Sequence, residues 1–124
     1  MGANQLRVVG AGLFFLFIFL SGFWLGRSGK PYSVIILTIH KMISLAAAIF
    51  LVITIYRINQ VAKLSAIELL AVVVTGLLFL STGVSGGLVS ADKAMPVAVL
   101  RVHHIVPILT VLSTAATLFL VLGR

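Results

Sequence analysis

The chain has 124 residues, of which 61% are hydrophobic and only 9% are charged, and its mean hydropathy is +1.28. This composition is far more apolar than that of a soluble domain, and it predicts an integral membrane protein forming a single domain over residues 1–124. The net charge of +7 comes from Lys and Arg scattered along the chain without a basic patch, which argues against nucleic-acid binding. The absence of Cys excludes disulfides, thiolate metal sites and covalently attached haem.

Four apolar segments separated by three short polar stretches predict four transmembrane helices, because a span needs about 20 apolar residues. The first segment follows Arg7 and resembles a signal peptide, but it is long enough to span a bilayer and we expect it to be retained. Pro31 suits the first position of the second helix, and Asp92 suits the N-cap region of the fourth. The predicted helices cover residues 6–25, 32–56, 64–89 and 94–122.

The short connections predict the fold class, an all-α transmembrane four-helix bundle with up-down-up-down topology and both termini on one side. That side carries four predicted cationic positions: Arg7, Arg57, Lys63 and Arg124. The opposite side carries three: Arg27, Lys30 and Lys93. The excess of positive charge predicts a cytoplasmic-membrane protein with both termini in the cytoplasm.

Two histidines interrupt the apolar helices at equal distances from the preceding turns. His40 lies ten residues after Lys30, and His103 lies ten residues after Lys93. Because both helices begin on the same side, the two imidazoles are expected at the same depth in the membrane. Ionisable residues within spans are costly and usually functional, so we expect His40 and His103 to bind one haem iron between helices two and four. The alternative is a pair of polar side chains that only pack helices together.

The segments that lead to the two histidines match with a constant offset. Residues 37–40 read Leu-Thr-Ile-His, and residues 100–103 read Leu-Arg-Val-His, 63 residues later. This spacing suggests two related helical hairpins and favours His103 over His104 as the counterpart of His40. His104 remains an alternative ligand, on a face 100° away. Pro107 removes the N–H that would normally bond to the His103 carbonyl.

Five further residues are predicted to line the cofactor. Arg101 and Lys41 are cations within spans, so we expect them to pair with haem propionates, and the alternative is snorkelling to lipid phosphate. The third helix offers Gly83, Gly86 and Gly87, which would leave room for a flat porphyrin face. Close packing of helices is the alternative for these glycines. We find no carboxylate pair, catalytic triad or phosphate-binding loop, and no residue is predicted to be catalytic.

Four helices with histidines on the second and fourth resemble the membrane b-type cytochromes, namely the cytochrome b561-like proteins and the anchor subunits of succinate dehydrogenase-like complexes. The resemblance implies one non-covalent haem b, bis-histidine ligation and electron transfer from a quinol. It also implies a redox partner protein or a homo-oligomer. The chain departs from the two-haem members, because four ligands would be needed and it has three histidines.

The expected function is therefore that of a membrane electron carrier or redox subunit rather than a stand-alone enzyme. Two alternatives remain open from the sequence. One is a non-redox membrane subunit or transporter in which the polar residues only pack, and the other is a haem-sensing or haem-carrying protein.

Overall fold

The computed structural model describes residues 2–91 and 95–123 of the chain. Within these residues it contains four α-helices: α1 (Ala3–Ser28), α2 (Val34–Val61), α3 (Ala66–Ser90) and α4 (Val97–Leu122). Each helix has at least 25 residues and is apolar enough to cross a membrane. At 1.5 Å per residue, each is longer than the ~30 Å hydrocarbon core of a bilayer. The prediction of an all-α integral membrane protein with four transmembrane helices is confirmed.

The helices pair into two compact units, each of them an antiparallel hairpin. The first hairpin consists of α1 and α2, and the second consists of α3 and α4. In the first, Ser21 near the end of α1 contacts His40 near the start of α2. In the second, Ser85 near the end of α3 contacts His103 near the start of α4. The antiparallel pairing within each hairpin is what the short connections predict.

The helix boundaries differ from the predicted ones by a few residues, and local chemistry explains why. Pro31 lies outside the second helix, which begins at Val34 because the Ser33 hydroxyl accepts the Ile36 N–H and forms the N-cap. The same helix continues beyond residue 56 to Val61, since polar residues such as Gln60 favour helix as well as apolar ones do. The first helix is three residues longer at each end, and α4 begins at Val97. Asp92, Lys93 and Ala94, as well as Met1 and Arg124, lie outside the described residues.

The third helix begins with a reciprocal capping box. The Ser65 hydroxyl accepts the Glu68 N–H at 3.3 Å, and Glu68 Oε1 accepts the Ser65 N–H at 2.8 Å. The pattern Ser-x-x-Glu is a sequence signal for such a box. Glu68 is only 7% exposed, and the capping box fixes its carboxylate at the start of the helix.

The two hairpins bury equivalent positions along their second helices. The buried residues Ala47, Leu51, Thr54 and Ile58 of α2 correspond to Thr110, Thr114, Thr117 and Val121 of α4. Each pair is separated by 63 residues, the offset that the histidines show. This agreement extends over three helical turns and indicates that the hairpins are two versions of one structural repeat.

The interiors of the two repeats have different chemistry. In the first hairpin, Gly10 lets the Phe50 ring approach α1, and this ring packs 5.3 Å from the ring of Phe14. In the second, Ser113 takes the place of Phe50, whereas Val74 and Leu78 stand at the positions of Gly10 and Phe14. Thr75 Oγ1 lies 2.6 Å from Ser113 Oγ and 3.0 Å from Thr117 Oγ1, and Thr82 Oγ1 lies 3.2 Å from Thr110 Oγ1. The first hairpin is therefore held mainly by apolar packing, and the second also by hydrogen bonds between helices.

These interhelical hydroxyl pairs are expected to stabilise the second hairpin modestly. A double-mutant cycle with Thr75→Val and Ser113→Ala should give a coupling of about 0.6 kcal/mol and at most about 1.7 kcal/mol, the range found for hydrogen bonds between membrane helices. The measurement is the free energy of unfolding in mixed micelles. Thr54→Val is the control, because the Thr54 hydroxyl donates to the Phe50 carbonyl of its own helix. A coupling of zero would show that the hydroxyls do not hold the helices together.

Candidate functional site

His40 is held at the interface of α1 and α2. It lies six residues beyond the first residue of α2, and its side chain is half-buried. Its Nδ1 atom is 2.7 Å from Ser21 Oγ on α1. The adjacent Gly22 lets the ring approach, since a Cβ atom at that position would lie 3.1 Å from His40 Cε1. The ring thus fits against a backbone that carries no side chain at the point of contact.

His103 has the same surroundings in the second hairpin. It also lies six residues beyond the first residue of its helix and is half-buried. Its Nδ1 atom is 3.0 Å from Ser85 Oγ on α3. A Cβ atom at Gly86 would lie 2.8 Å from His103 Cε1, closer than real Cβ atoms approach other atoms. The position therefore requires glycine as long as the ring stays where it is.

These residues form a serine–glycine–histidine cluster that occurs once in each hairpin. Its members are Ser21, Gly22 and His40 in the first hairpin and Ser85, Gly86 and His103 in the second. The Ser-Gly pairs are 64 residues apart and the histidines 63, so the connection within the second cluster is one residue shorter. The sequence analysis identified the histidines and Gly86 but missed both serines. The signal that would have found them is the Ser-Gly dipeptide, repeated at nearly the offset of the histidines.

The residue one helical turn after each histidine changes the hydrogen bonding of the histidine carbonyl. Ser44 Oγ donates a 2.7 Å hydrogen bond to the His40 carbonyl. Pro107 occupies the equivalent position in α4, inside the helix, and has no N–H to donate to the His103 carbonyl. The two repeats therefore differ in how this carbonyl is hydrogen-bonded: the first adds a donor and the second removes one.

The other predicted site residues lie on exposed surfaces of their hairpins. Lys41 and His104 are exposed and occupy equivalent positions, 63 residues apart, and Arg101 is also exposed. Gly83 and Gly87 face open space, because a Cβ atom at either would have no neighbour within 4 Å. Of the three predicted glycines, only Gly86 contacts a histidine. Gly86 thus makes room for the His103 ring, whereas Gly83 and Gly87 do not.

An open groove of about 450 Å³ lies on the second hairpin beside Ser85. Its walls come from α3 and α4 and include Ser81, Leu88 and Ala98. The equivalent residues of the first hairpin are the bulkier Phe17, Trp24 and Ile35. The first hairpin nevertheless has a groove of its own, of about 650 Å³, which Trp24 helps to line.

Each cluster offers a bound metal one imidazole, that of His40 in the first hairpin and that of His103 in the second. Among the described residues, no group of three or more His, Cys, Asp or Glu side chains is close enough to hold a metal ion. A bare metal ion usually needs at least three protein ligands. Haem iron takes four nitrogen ligands from the porphyrin and only one or two from the protein, so a single imidazole is able to serve as a haem ligand.

Alanine at Gly86 should displace the His103 ring, whereas alanine at Gly87 should not. The Gly86→Ala methyl group would overlap His103 Cε1, and the shift that relieves the overlap should cost about 1–3 kcal/mol of unfolding free energy. Gly87→Ala meets open space and should be neutral or stabilising by up to ~1 kcal/mol, because alanine favours helix over glycine. The measurement is unfolding in mixed micelles. Equal effects of the two substitutions would contradict the described packing of His103.

Comparison with known proteins identifies no relative: no family model, curated protein or solved structure matches this chain. The resemblance to the b-type cytochromes thus depends on helix number and histidine placement alone. What the chain does must be inferred from its own residues.

Proposed function

We propose that the chain binds one haem b non-covalently and carries electrons in the membrane, with His40 and His103 as the axial ligands. The observation that carries this proposal is the serine–glycine–histidine cluster, which occurs once in each hairpin. Two imidazoles are the number that a six-coordinate haem requires, and here each repeat supplies one.

Packing alone does not explain why the cluster is present in both repeats. The first hairpin is otherwise closed by apolar contacts such as that between Phe14 and Phe50, yet it keeps the Ser21–His40 pair. A hydrogen bond between membrane helices contributes only about 0.6 kcal/mol on average. This stabilisation is small compared with the cost of placing an imidazole within an apolar span. Because the interiors have diverged while the clusters have not, the imidazoles are more simply explained as ligands.

When bound, haem b with two axial imidazoles supplies a one-electron redox couple without an open coordination position. The chain's own contribution is to fix the two rings and to provide charges near the cofactor. Arg101 and Lys41 are exposed on their hairpins, so we assign them to the haem propionates, with Gly83 and Gly87 lining the macrocycle. Charge-assisted hydrogen bonds to carboxylates would offset the cost of placing these cations within spans.

The proposed role is that of an electron carrier or redox subunit that takes electrons from a quinol or a partner subunit. We place the protein in the cytoplasmic membrane with both termini in the cytoplasm, on the basis of the distribution of Lys and Arg.

One observation favours a second candidate, a non-redox membrane subunit in which polar side chains only join helices. The hydroxyl pairs of the second hairpin, such as Thr75 with Ser113, show that this chain does use hydrogen bonds for packing. On this view the two Ser–His pairs would be further examples of the same device, and no haem would be bound.

The two functions are distinguished by the reduced-minus-oxidised absorption spectrum of the purified protein, expressed with haem supplied. We expect sharp b-type bands at one haem per chain. His40→Ala and His103→Ala should each abolish the low-spin spectrum, because each removes one axial ligand.

His104→Ala is the matched control, since His104 is adjacent to His103 but exposed and outside the cluster. It should retain the wild-type spectrum. Loss of the bands in His104→Ala but not in His103→Ala would move the ligand to His104. A colourless wild-type preparation would favour the non-redox function.

A further inference from the structure

We infer that Ser21 and Ser85 are positioning residues that hold His40 and His103 in the tautomer with the proton on Nδ1. Each ring then presents the lone pair of Nε2 as its metal-binding atom. This inference deepens the proposed function and rests on it for the identity of the metal, but the tautomer itself is a property of the chain without haem.

The hydrogen bonds of Ser21 determine the direction of its contact with His40. A serine hydroxyl has one proton to donate and two lone pairs to accept with. Ser21 Oγ lies 2.8 Å from the Phe17 carbonyl and 3.0 Å from the Ile18 carbonyl, and carbonyl oxygens only accept. We assign the hydroxyl proton to its own helix, as is usual for serine in membrane helices. With this assignment the oxygen accepts in the 2.7 Å contact with His40, and His40 Nδ1 donates.

Ser85 repeats this arrangement in the second hairpin. Its hydroxyl donates to the Thr82 carbonyl at 3.1 Å, which leaves the oxygen to accept from His103 Nδ1 at 3.0 Å. A neutral imidazole with a proton on Nδ1 has its lone pair on Nε2, the atom through which histidine commonly binds metals. A donor bond from the opposite ring nitrogen is also what fixes the orientation of metal-binding histidines in general.

The neighbouring glycines complete the positioning. Gly22 and Gly86 lie against the Cε1 edge of their histidine rings, between the two nitrogen atoms. Any side chain there would push the ring away from the serine. Ser and Gly together therefore set both the protonation and the location of the ring, and this explains why the dipeptide occurs in both repeats.

The inference also distinguishes His103 from His104. Among the described residues, His104 is exposed and has no serine or threonine hydroxyl as partner, so nothing there fixes its tautomer. Only the two histidines with a serine on the adjacent helix are prepared as ligands. The matching clusters thus favour His103 over His104 as the ligand, and this distinction does not depend on a bound cofactor.

The test is a long-range ¹H–¹⁵N correlation spectrum of the haem-free protein in micelles, which reports which ring nitrogen is protonated. It should be recorded at about pH 8, above the ordinary histidine pKa, so that the rings are neutral. We expect His40 and His103 to show protonated Nδ1 and unprotonated Nε2, and His104 to show the mixture typical of an unconstrained ring.

Serine substitutions should act on one ring each. Ser21→Ala should shift only His40 toward a tautomer mixture, and Ser85→Ala should shift only His103. Ser21→Thr and Ser85→Thr should restore the wild-type pattern, because threonine keeps the hydroxyl and its bond to the preceding turn. Ser28→Ala is the control, since the Ser28 hydroxyl bonds to the Trp24 carbonyl and lies outside the cluster.

In the haem-loaded protein, Ser85→Ala should change the reduction potential and the electron paramagnetic resonance (EPR) g-values while the spectrum remains that of two axial histidines. A wild-type protein whose His40 and His103 carry the proton on Nε2, or whose tautomers do not respond to Ser→Ala, would overturn the inference even if haem is bound. If the tautomers are as expected but no haem binds, the positioning role stands and the proposed function fails.

Discussion

The structure depends on one constraint: a polar ring placed within an apolar helix must find a hydrogen-bond partner on the helix beside it. Leaving such a group without one costs several kcal/mol in hydrocarbon, where no water can substitute. In both hairpins the partner is a serine in the last third of the first helix, and the following glycine gives the ring its place. The pairing of α1 with α2, and of α3 with α4, therefore fixes where each histidine ring lies.

Around this shared cluster the two repeats have diverged. The first hairpin is closed by aromatic and aliphatic side chains, among them Phe14 and Phe50. The second has Ser113 in place of Phe50, Thr110 in place of Ala47 and Thr75 in place of Ala11. The first hairpin keeps a buried hydroxyl at Thr54, but this hydroxyl bonds to its own helix, so the two interiors are joined by different contacts. The serine–glycine–histidine cluster is nevertheless the same in both hairpins, and the proposal that the two histidines bind one cofactor depends on this agreement.

Much of the fold could be predicted from the sequence, because length and hydropathy alone define a membrane helix. The number of helices, their approximate positions and the matching places of His40 and His103 within their own helices all follow from such patterns. Helix ends were less predictable, because the capping serines Ser33 and Ser65 determine where α2 and α3 begin. Ser65 and Glu68 form a capping box whose sequence pattern is recognisable, but the apolar pattern alone does not reveal it. For the partners Ser21 and Ser85 the sequence offered the repeated Ser-Gly dipeptide but no helical periodicity. Contacts between helices depend on rotation about the helix axis, and almost uniformly apolar helices such as α1 give little periodicity from which to read that rotation.

The measurement that tests the central claim most directly is the EPR spectrum of the oxidised wild-type protein, with iron and protein quantified in the same sample. The account predicts a low-spin ferric signal of bis-imidazole type at one iron per chain, because two fixed rings occupy both axial positions. A high-spin signal would mean that only one of the two imidazoles binds the iron. A protein that retains no haem iron after expression with haem supplied would contradict the assignment of His40 and His103 as ligands.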